Sequence, residues 1–593
     1  MAQQRCEAVC MASDRPLGEP NALRESQHRL VRRRAGQRLG HSLNLVRTAQ
    51  DLADCLVPGF ADLAAVALAE AVLTGEEPPR FTGGGQLHLR RVAVAAASGS
   101  RPTEILPPGA KHPPYPDSPL LRAAQRGDYT LVADRAKAVA LLGDQELIRL
   151  FIPPGGHSVI VAQLFARGLV LGNISLWRTA MAVPFTDEDG ELIREIASRA
   201  AIAVDNARRY TREHRVATDL QRRLMPRGAQ HMLAVETAGR YVPAGEGVEV
   251  GGDWFDVIPL SSLRVALVIG DVIGHGLHAT AMMGQVRTAV RALADMELDP
   301  GELLSHLDDV IQRLAYETEC DHHDGESVGG SCLYAVYDPV GCTCALASAG
   351  HPPPFLMHPD RTIEQIHISP GPPLGVGGLP FEVTEVSLEP GSLLALYTDG
   401  LTDQPAGASD GGADIPRLLA TLTGRGSSSD LETLGRKMVS QAVGKPARDD
   451  IALLLARVHA LPAEHVADWA FAADPAAVTN IRKEAVDRLV TWGLSDAAFS
   501  TELIVSELVT NAIRYGDGPY TLRLIRGDVL VCEVSDRSNT QPRLRRARST
   551  DEGGRGLFLV AQIADRWGSR YQSVGKTVWA EQHLPSLKAQ QAG

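Results

Sequence analysis

SLRVALVIGDVIGHG, residues 262–276, is an apolar strand that stops at a Gly270-Asp271 step. A short continuous apolar run closed by a turn signal reads as a buried strand. A carboxylate at the end of such a strand, beside glycine, sits on a rigid element and is open to close approach by neighbouring backbone. The same grammar recurs along the chain. GGDWFD (251–256) comes just before, SLLALYTDG (392–400) is a strand that stops at Asp399, and ARDDIALLLARV (447–458) starts a strand after Asp449 and Asp450. Between them LHATAMMGQVRTAVRALADM (277–296) reads as a helix, and SCLYAVYDPVGCTCALASAGH (331–351) as a β-hairpin turning at Asp338-Pro339-Val340-Gly341. One Asp in a turn means little, since Asp favours turns. Four from separate strands can converge at one end of a β-sandwich. Hard divalent ions such as Mg²⁺ or Mn²⁺ take oxygen ligands and keep several waters. Two such ions ~3.5–4 Å apart share a hydroxide and aim it in line at phosphorus.

As an ordered set, GGDWFD, GDVIGHG, YTDG and RDDI resemble the SpoIIE-like branch of the PPM phosphatase family, over residues 216–458 with the domain proper at 223–458. The resemblance implies a PPM-type β-sandwich flanked by helices and a metal-dependent protein serine/threonine phosphatase using two Mn²⁺ or Mg²⁺ ions. It implies Asp253 as a ligand of one metal, Asp271 as the bridging ligand, and Val272 as a ligand through its backbone carbonyl. Asp399 and Asp449 are then the remaining carboxylates on the other metal, with Asp256 and Asp450 in neighbouring supporting positions. His275 could orient water or stabilise its Gly-His-Gly turn, and His351 reads as structural. The loop DHHDGESVGG (321–330) is longer and more polar than the family's usual approach to this strand.

Upstream, residues 1–42 carry many Arg and Gln and no long periodic pattern, which predicts a poorly ordered leader or a remnant of a sensory segment. DLADCLVPGFADLAAVALAEAV (51–72) passes from a helical period into a strand, LRRVAVAAA (89–97) is a second strand, and HSVIVAQLFARGLVLGNISLWR (157–178) reads as two strands turning near Arg167-Gly168. FTDEDGELIREIASRAAIAVDNARRYTREH (185–214) is a long helix with Thr186 as N-cap and an acidic first turn. The strand order and this helix resemble a GAF domain over 43–206, with a connector helix at 207–222. The resemblance implies an α/β sensory sheet that holds an unknown small ligand or serves as a scaffold, and a homodimer through the GAF domain and connector.

At the other end, AAFSTELIVSELVTNAIRYGDG (497–518) is helical, with Glu507 and Asn511 four apart on one face. Asn so placed suits a magnesium ligand and Glu a general base. DVLVCEVSD (528–536) is a strand ending at Asp536, and EGGRGLFLVAQIADRWG (552–568) is a Gly-rich loop leading into a helix, a junction whose N–H groups can cradle phosphate. The trio ELVTN, VSDRS and GGRGLFLV resembles the GHKL ATPases over 463–585, within them the anti-sigma-factor serine kinases of RsbW type, leaving 586–593 as a tail. The resemblance implies a GHKL-type α/β sandwich binding ATP with Mg²⁺. Catalytic Glu507 and metal-binding Asn511 match the N-box, Asp536 the adenine contact, and Gly554 and Gly556 the phosphate-lid loop. Asp536-Arg537-Ser538 stands where histidine kinases carry Asp-x-Gly-x-Gly, and no helix with a phosphoacceptor His precedes it.

These resemblances imply a partner-switching regulator. Its phosphatase would act on a phosphorylated anti-sigma antagonist, and its C-terminal domain would be a serine kinase able to hold a sigma factor. The alternative is a C-terminal domain that binds nucleotide or a partner without phosphotransfer. A scaffold with a dead phosphatase conflicts with the intact set of four aspartates.

Composition sets the outer limits. The 593 residues exceed the ~250–300 that one core supports, so the fold class is α+β multidomain. The apolar fraction of 44% and charged fraction of 22% are those of globular protein. A net charge of −12 argues against a nucleic-acid partner. No apolar run reaches the ~20 residues of a membrane span, and MAQQRCEAVC lacks the core of a secretory signal, which predicts a cytoplasmic protein without a membrane partner. The eight cysteines are scattered through 593 residues, which predicts no disulfide framework.

Overall fold

The apolar runs between residues 63 and 178 build one five-stranded antiparallel sheet. The computed structural model describes residues 19–79, 88–100, 102–113, 128–225, 230–243, 251–321, 328–402, 414–422, 430–442, 449–540, 556–571 and 574–584. The chain divides into two units, one ending at Val216 and the other starting at Ala217.

In the first unit, helices α1 (Glu19–Arg38) and α2 (Leu45–Leu56) precede strands β1 (Leu63–Ala69), β2 (Leu89–Ala96) and β3 (Tyr129–Val132). Short helices α3 (Arg135–Leu142) and α4 (Gln145–Phe151), strands β4 (Ser158–Ala166) and β5 (Leu169–Arg178), and the long helix α5 (Asp187–Leu224) follow. The sheet order is β2-β1-β5-β4-β3. One face packs Leu68, Leu164 and Ile174 against Leu52 and Leu56 of α2 and Ile196 and Val204 of α5. The other packs Leu63, Val159 and Trp177 against Ala138 and Ile152. Burial on both faces explains why β1 reads as an unbroken apolar run instead of an alternating one. The β4–β5 turn places Arg167 and Gly168 at φ 50° and 80°, as a tight hairpin requires.

Two expectations are corrected. The leader is ordered over its second half, where Val31, Ala35 and Leu39 of α1 and its end are buried in the same core as α2. Their four-residue spacing makes a stripe one residue wide, hidden among arginines, so composition masked it. Residues 1–18 lie outside the described residues. The helix expected over 185–214 and the connector helix at 207–222 form one element, α5, of 38 residues. At its start the Thr186 N–H donates to Asp189 Oδ2 at 3.0 Å, so Asp189 caps the helix from inside instead of the Thr186 side chain.

The second unit begins with a sandwich. With β6 (Gln230–His231), β11 (Thr343–Ala349), β12 (Phe355–Met357), β13 (Ile363–Gln365) and β14 (Thr384–Ser387), one sheet has the order β14-β11-β10-β9-β8 and the other β13-β12-β15-β16-β7-β6. The strands that matter below are β7 (Val235–Val242), β8 (Trp254–Pro259), β9 (Val265–Val272), β10 (Gly330–Asp338), β15 (Leu393–Tyr397) and β16 (Ile451–Val458). Helices α6 (Gly276–Ala294) and α7 (Pro300–Asp321) bury Met283, Val290, Leu303 and Leu307 in the same core as the first sheet. The α7 helix was not anticipated from the sequence. Helices α8 (Ile415–Leu422) and α9 (Leu431–Ala442) cover the second sheet. Alternate residues of β15 divide between the two layers. Leu394 and Leu396 face the sandwich core, while Leu393, Ala395 and Tyr397 meet α8 and α9.

A third sheet, ordered β17-β18-β19-β21-β20, follows. It comprises β17 (Val466–Phe471), β18 (Tyr520–Arg526), β19 (Val529–Asp536), β20 (Arg566–Tyr571) and β21 (Lys576–His583). Helices α10 (Pro475–Thr491), α11 (Ala498–Tyr515) and α12 (Gly556–Ile563) accompany it, and Leu522, Cys532 and Val534 pack on Ile504, Leu508 and Val560. Its opposite face receives the turn Ser261–Leu263 that joins β8 to β9. There Ser262 N–H donates to Glu581 at 3.0 Å, its hydroxyl bonds Glu533, and Arg570 reaches both that hydroxyl, at 2.8 Å, and Glu533, at 2.7 Å. Leu263 and Val340 pack beside Ile525 and Val531 around this polar contact. Among the described residues, no helix is long and apolar enough to cross a membrane.

Candidate metal centre and nucleotide site

Asp253 immediately precedes β8 and Asp271 is the penultimate residue of β9, and these strands pair with Trp254 opposite Gly270. Both carboxylates therefore emerge at one end of the same hairpin. On the second sheet, Asp399 follows β15 and Asp449 precedes β16, and these strands are also paired. A Cβ at Gly400 would overlap the Asp450 carbonyl, so only glycine allows the Asp399 turn to lie so close to the Asp449-Asp450 turn.

Two ties bring the sheets together beneath these groups. Thr398 Oγ1 donates to Asp253 Oδ2 at 2.6 Å while accepting from Ala452 N–H at 2.9 Å. His351 Nδ1 meets Ser331 Oγ at 2.7 Å and its Nε2 meets the Tyr397 carbonyl at 3.1 Å. Ser331 is the β10 partner of Asp271, and Tyr397 lies two residues before Asp399. Burial drives the His351 pKa down to about 4, so it is a neutral cross-link, in line with a structural role.

The electrostatics report crowding. Asp253 is 3% exposed, and burial together with the Asp271 charge pushes its carboxyl well above the usual range. The two side chains share a hydrogen bond. Burial, then the charges of Asp399, Asp449 and Asp450, raise Asp271 to about 7. Asp399 and Asp449 are exposed on their turns. Among the described residues, no three His, Cys, Asp or Glu side chains converge closely enough to hold an ion. The contact pair is thus Asp253 and Asp271, with the other two carboxylates within electrostatic reach. The donor chemistry nonetheless fits hard divalent cations, because the set is all oxygen and its members penalise one another's charge.

Other candidates separate. Asp256, grouped with the cluster by sequence, is fully buried on the helix side of β8, where Arg287 reaches it at 2.8 Å and Arg291 at 2.6 Å. It pins α6 to the sheet, since alternation turns a residue three beyond Asp253 away from the site. His275 is exposed at the N-cap position of α6 and makes no side-chain cap bond. Val272 N–H donates to the Gly252 carbonyl at 3.3 Å, which brings Val272 beside the Asp253 turn. Gln221, Tyr241 and Thr398 drew no attention in the sequence, because each is linked to the cluster across a long sequence separation.

At the C-terminal site, Glu507 and Asn511 lie one turn apart on α11, and Gly556 opens α12 against them. A Cβ at Gly556 would overlap Glu507 Oε2, and Asn511 Nδ2 is buried without a hydrogen-bond partner. A close-approach glycine and an orphaned polar atom fit a ligand that completes the site. Asp536 is 6% exposed and close to Gly516 at the end of α11, but its Oδ1 already accepts from Lys576 Nζ at 2.9 Å and Ser538 N–H at 2.8 Å. Gly554 lies outside the described residues.

Residues 261–459 match the family model of stage II sporulation protein E (SpoIIE), and residues 471–581 match that of a histidine kinase-like ATPase domain. Asp253 lies just ahead of the first match. Over 231 residues the chain is 26% identical to Protein IcfG of Synechocystis, covering 35% of this chain and 35% of IcfG. Over 193 residues it is 24% identical to the phosphoserine phosphatase RsbU of Bacillus subtilis, covering 32% of this chain and 53% of RsbU. The chain thus spans about a third to a half of the length of these curated relatives. Among solved structures, the RsbU and RsbW domains of a Mycobacterium tuberculosis protein align over 60% of this chain and 94% of their own at 23% identity, with a TM-score of 0.34. The protein therefore carries a SpoIIE-type PPM phosphatase domain followed by a histidine kinase-like, GHKL-type ATPase domain.

Proposed function

We propose that the chain is a metal-dependent protein serine/threonine phosphatase that acts in partner switching. Its substrate would be a phosphorylated antagonist of an anti-sigma factor, and a similar protein, RsbU of Bacillus subtilis, is named a phosphoserine phosphatase. One observation carries this reading: the buried Asp253–Asp271 pair at the end of one hairpin, facing Asp399 and Asp449 from the other sheet. Two Mn²⁺ or Mg²⁺ ions held there would supply an activated hydroxide. Asp271 would bridge, Asp253 would hold one ion with the Val272 carbonyl beside it, and Asp399 and Asp449 would hold the other. Thr398 keeps Asp253 in its rotamer, and neutral His351 fixes the spacing of the sheets without adding charge. The test is phosphate release from p-nitrophenyl phosphate with and without Mn²⁺. Turnover should need the metal and fall at least ~100-fold in Asp399→Ala. Metal-independent hydrolysis or a fully active variant would contradict the assignment.

For the C-terminal domain we infer ATP binding with Mg²⁺ and serine kinase activity toward such an antagonist, with Glu507 as base and Asn511 as metal ligand. The alternative, nucleotide or partner binding without phosphotransfer, draws on the Lys576 pairing of Asp536, which occupies an oxygen that adenine would otherwise use. Glu507→Gln separates the two. A kinase loses antagonist phosphorylation at least ~100-fold while retaining nucleotide, whereas a binding module changes in neither. The first unit, with its order β2-β1-β5-β4-β3, supports a GAF-like sensory role for residues 43–206. Its small ligand, dimerisation through this region and the continuous α5, and a cytoplasmic location belong to the same proposal. Gly554 would join Gly556 in the phosphate loop, and a bound sigma factor would complete the switch.

A further inference from the structure

The last turn of α5 enters the carboxylate cluster. Gln221 is completely buried, and its Nε2 donates to the Gly251 carbonyl at 3.2 Å and to Asp450 Oδ2 at 3.2 Å. The same Asp450 oxygen accepts the Gly251 N–H at 2.8 Å and the Tyr241 hydroxyl. Gly251 lies two residues before Asp253, and Asp450 directly follows Asp449. Gln221, Gly251 and Asp450 thus form a closed ring joining the two sheets at the level of the candidate ligands. We propose that Gln221 is a positioning residue of the metal centre, setting the distance between the backbone that carries Asp253 and the turn that carries Asp449.

The residue type suits the task. Asp450 is 2% exposed, and a carboxyl buried that deeply needs hydrogen-bond partners on its oxygens. Lysine or arginine at 221 would supply them, but would bring a positive charge into competition with the cations. A hydrocarbon would leave the Gly251 carbonyl and one direction of the Asp450 carboxylate without a donor. A neutral amide satisfies both groups at once and leaves the cluster's negative charge intact. Groups that orient metal ligands from one bond away commonly change affinity 10–100-fold when removed.

This inference rests on the metal-phosphatase reading, and its test separates the two. Mn²⁺ binding to the full chain is measured by titration calorimetry for the parent, Gln221→Met and Tyr241→Phe. Methionine keeps the length of the side chain and removes the donor. Phenylalanine removes a second donor to the same carboxylate without opening a cavity. Gln221→Met should bind Mn²⁺ roughly 10–100-fold more weakly. The Mn²⁺ concentration that half-activates hydrolysis should rise by a similar factor, so that added metal recovers the rate. Tyr241→Phe should move both quantities in the same direction, and decides alone should Gln221→Met fail to fold. A folded Gln221→Met with a lower melting temperature in EDTA but Mn²⁺ affinity within ~2-fold of the parent would mean plain packing, and would overturn the proposal. A parent that binds no Mn²⁺ would instead bring down the metal centre itself.

Discussion

In EDTA at pH 8, Asp271→Asn should melt at a higher temperature than the parent while losing nearly all phosphatase activity. Burial and the charges of Asp399, Asp449 and Asp450 raise the Asp271 carboxyl from 3.8 to about 7. The folded chain therefore holds this proton more tightly than the unfolded chain does. The stabilisation it brings is complete below the unfolded value near 3.8 and is lost as pH rises through about 7. Three pKa units correspond to roughly 4 kcal/mol, an upper bound because neighbouring carboxylates readjust. Asparagine is isosteric and never ionises, so at pH 8 it escapes the penalty and should raise the transition by roughly 5 °C or more. At pH 5 the folded parent keeps its proton, so the difference should shrink, and it should vanish only below the unfolded value near 3.8. The same change removes the proposed bridge between two cations, worth several kcal/mol of transition-state stabilisation, or about 10³-fold in rate. Melting curves in EDTA at the two pH values, with Mn²⁺-supported hydrolysis at pH 8, check both halves. A variant that melts with or below the parent at pH 8 would show that the carboxylates do not crowd one another as described.

Glu533→Ala should cost about 3–5 kcal/mol, although Glu533 lies outside both sites. Its carboxylate is 3% exposed on the face of the third sheet that meets the phosphatase turn. Burial alone would raise its pKa, but the Arg570 guanidinium, the Ser262 hydroxyl and Arg523 outweigh burial and hold it below the usual value of 4.5. Alanine leaves Arg570 buried without its main partner and strips an acceptor from Ser262, whose backbone turns through φ 63° to reach it. Urea denaturation followed by tryptophan fluorescence reads the loss, since Trp469 and Trp579 both lie in the third sheet. Adding Arg570→Ala should restore part of it, because the uncompensated charge disappears. The depressed pKa places the parent's acid sensitivity. This contribution is complete above the unfolded value near 4.5 and is lost as pH falls below it. A cost under ~1 kcal/mol would mean that the contact is solvated and loose.

Strands β1, β2, β4, β5, β9, β10, β15, β16 and β19, the hairpin turn at Asp338–Gly341, the Arg167-Gly168 turn and the helix carrying Glu507 and Asn511 were legible from sequence. Each depends on interactions between residues a few positions apart, and period and turn chemistry record those directly. The placement of Asp253, Asp271, Asp399 and Asp449 beside strand ends was legible for the same reason. Helix α1 was not, because three apolar residues among arginines leave almost no local trace and gain their meaning only against α2. Asp256 was misplaced because it stands in the same acidic run as Asp253, and only the pleat of β8 turns it toward Arg287 and Arg291.

The chain's own order of residues was enough to determine where the acidic ends of its main strands fall, and that a SpoIIE-type domain precedes a histidine kinase-like ATPase domain. Tertiary structure alone decided that Gln221 reaches Asp450, that Thr398 holds Asp253, and that Ser262 is gripped by Glu533 and Glu581. Those partners stand 229, 145, 271 and 319 positions apart. No spacing rule spans such distances, since each pairing exists only once separate sheets have packed and a buried polar group must find whichever donor or acceptor the fold has brought beside it.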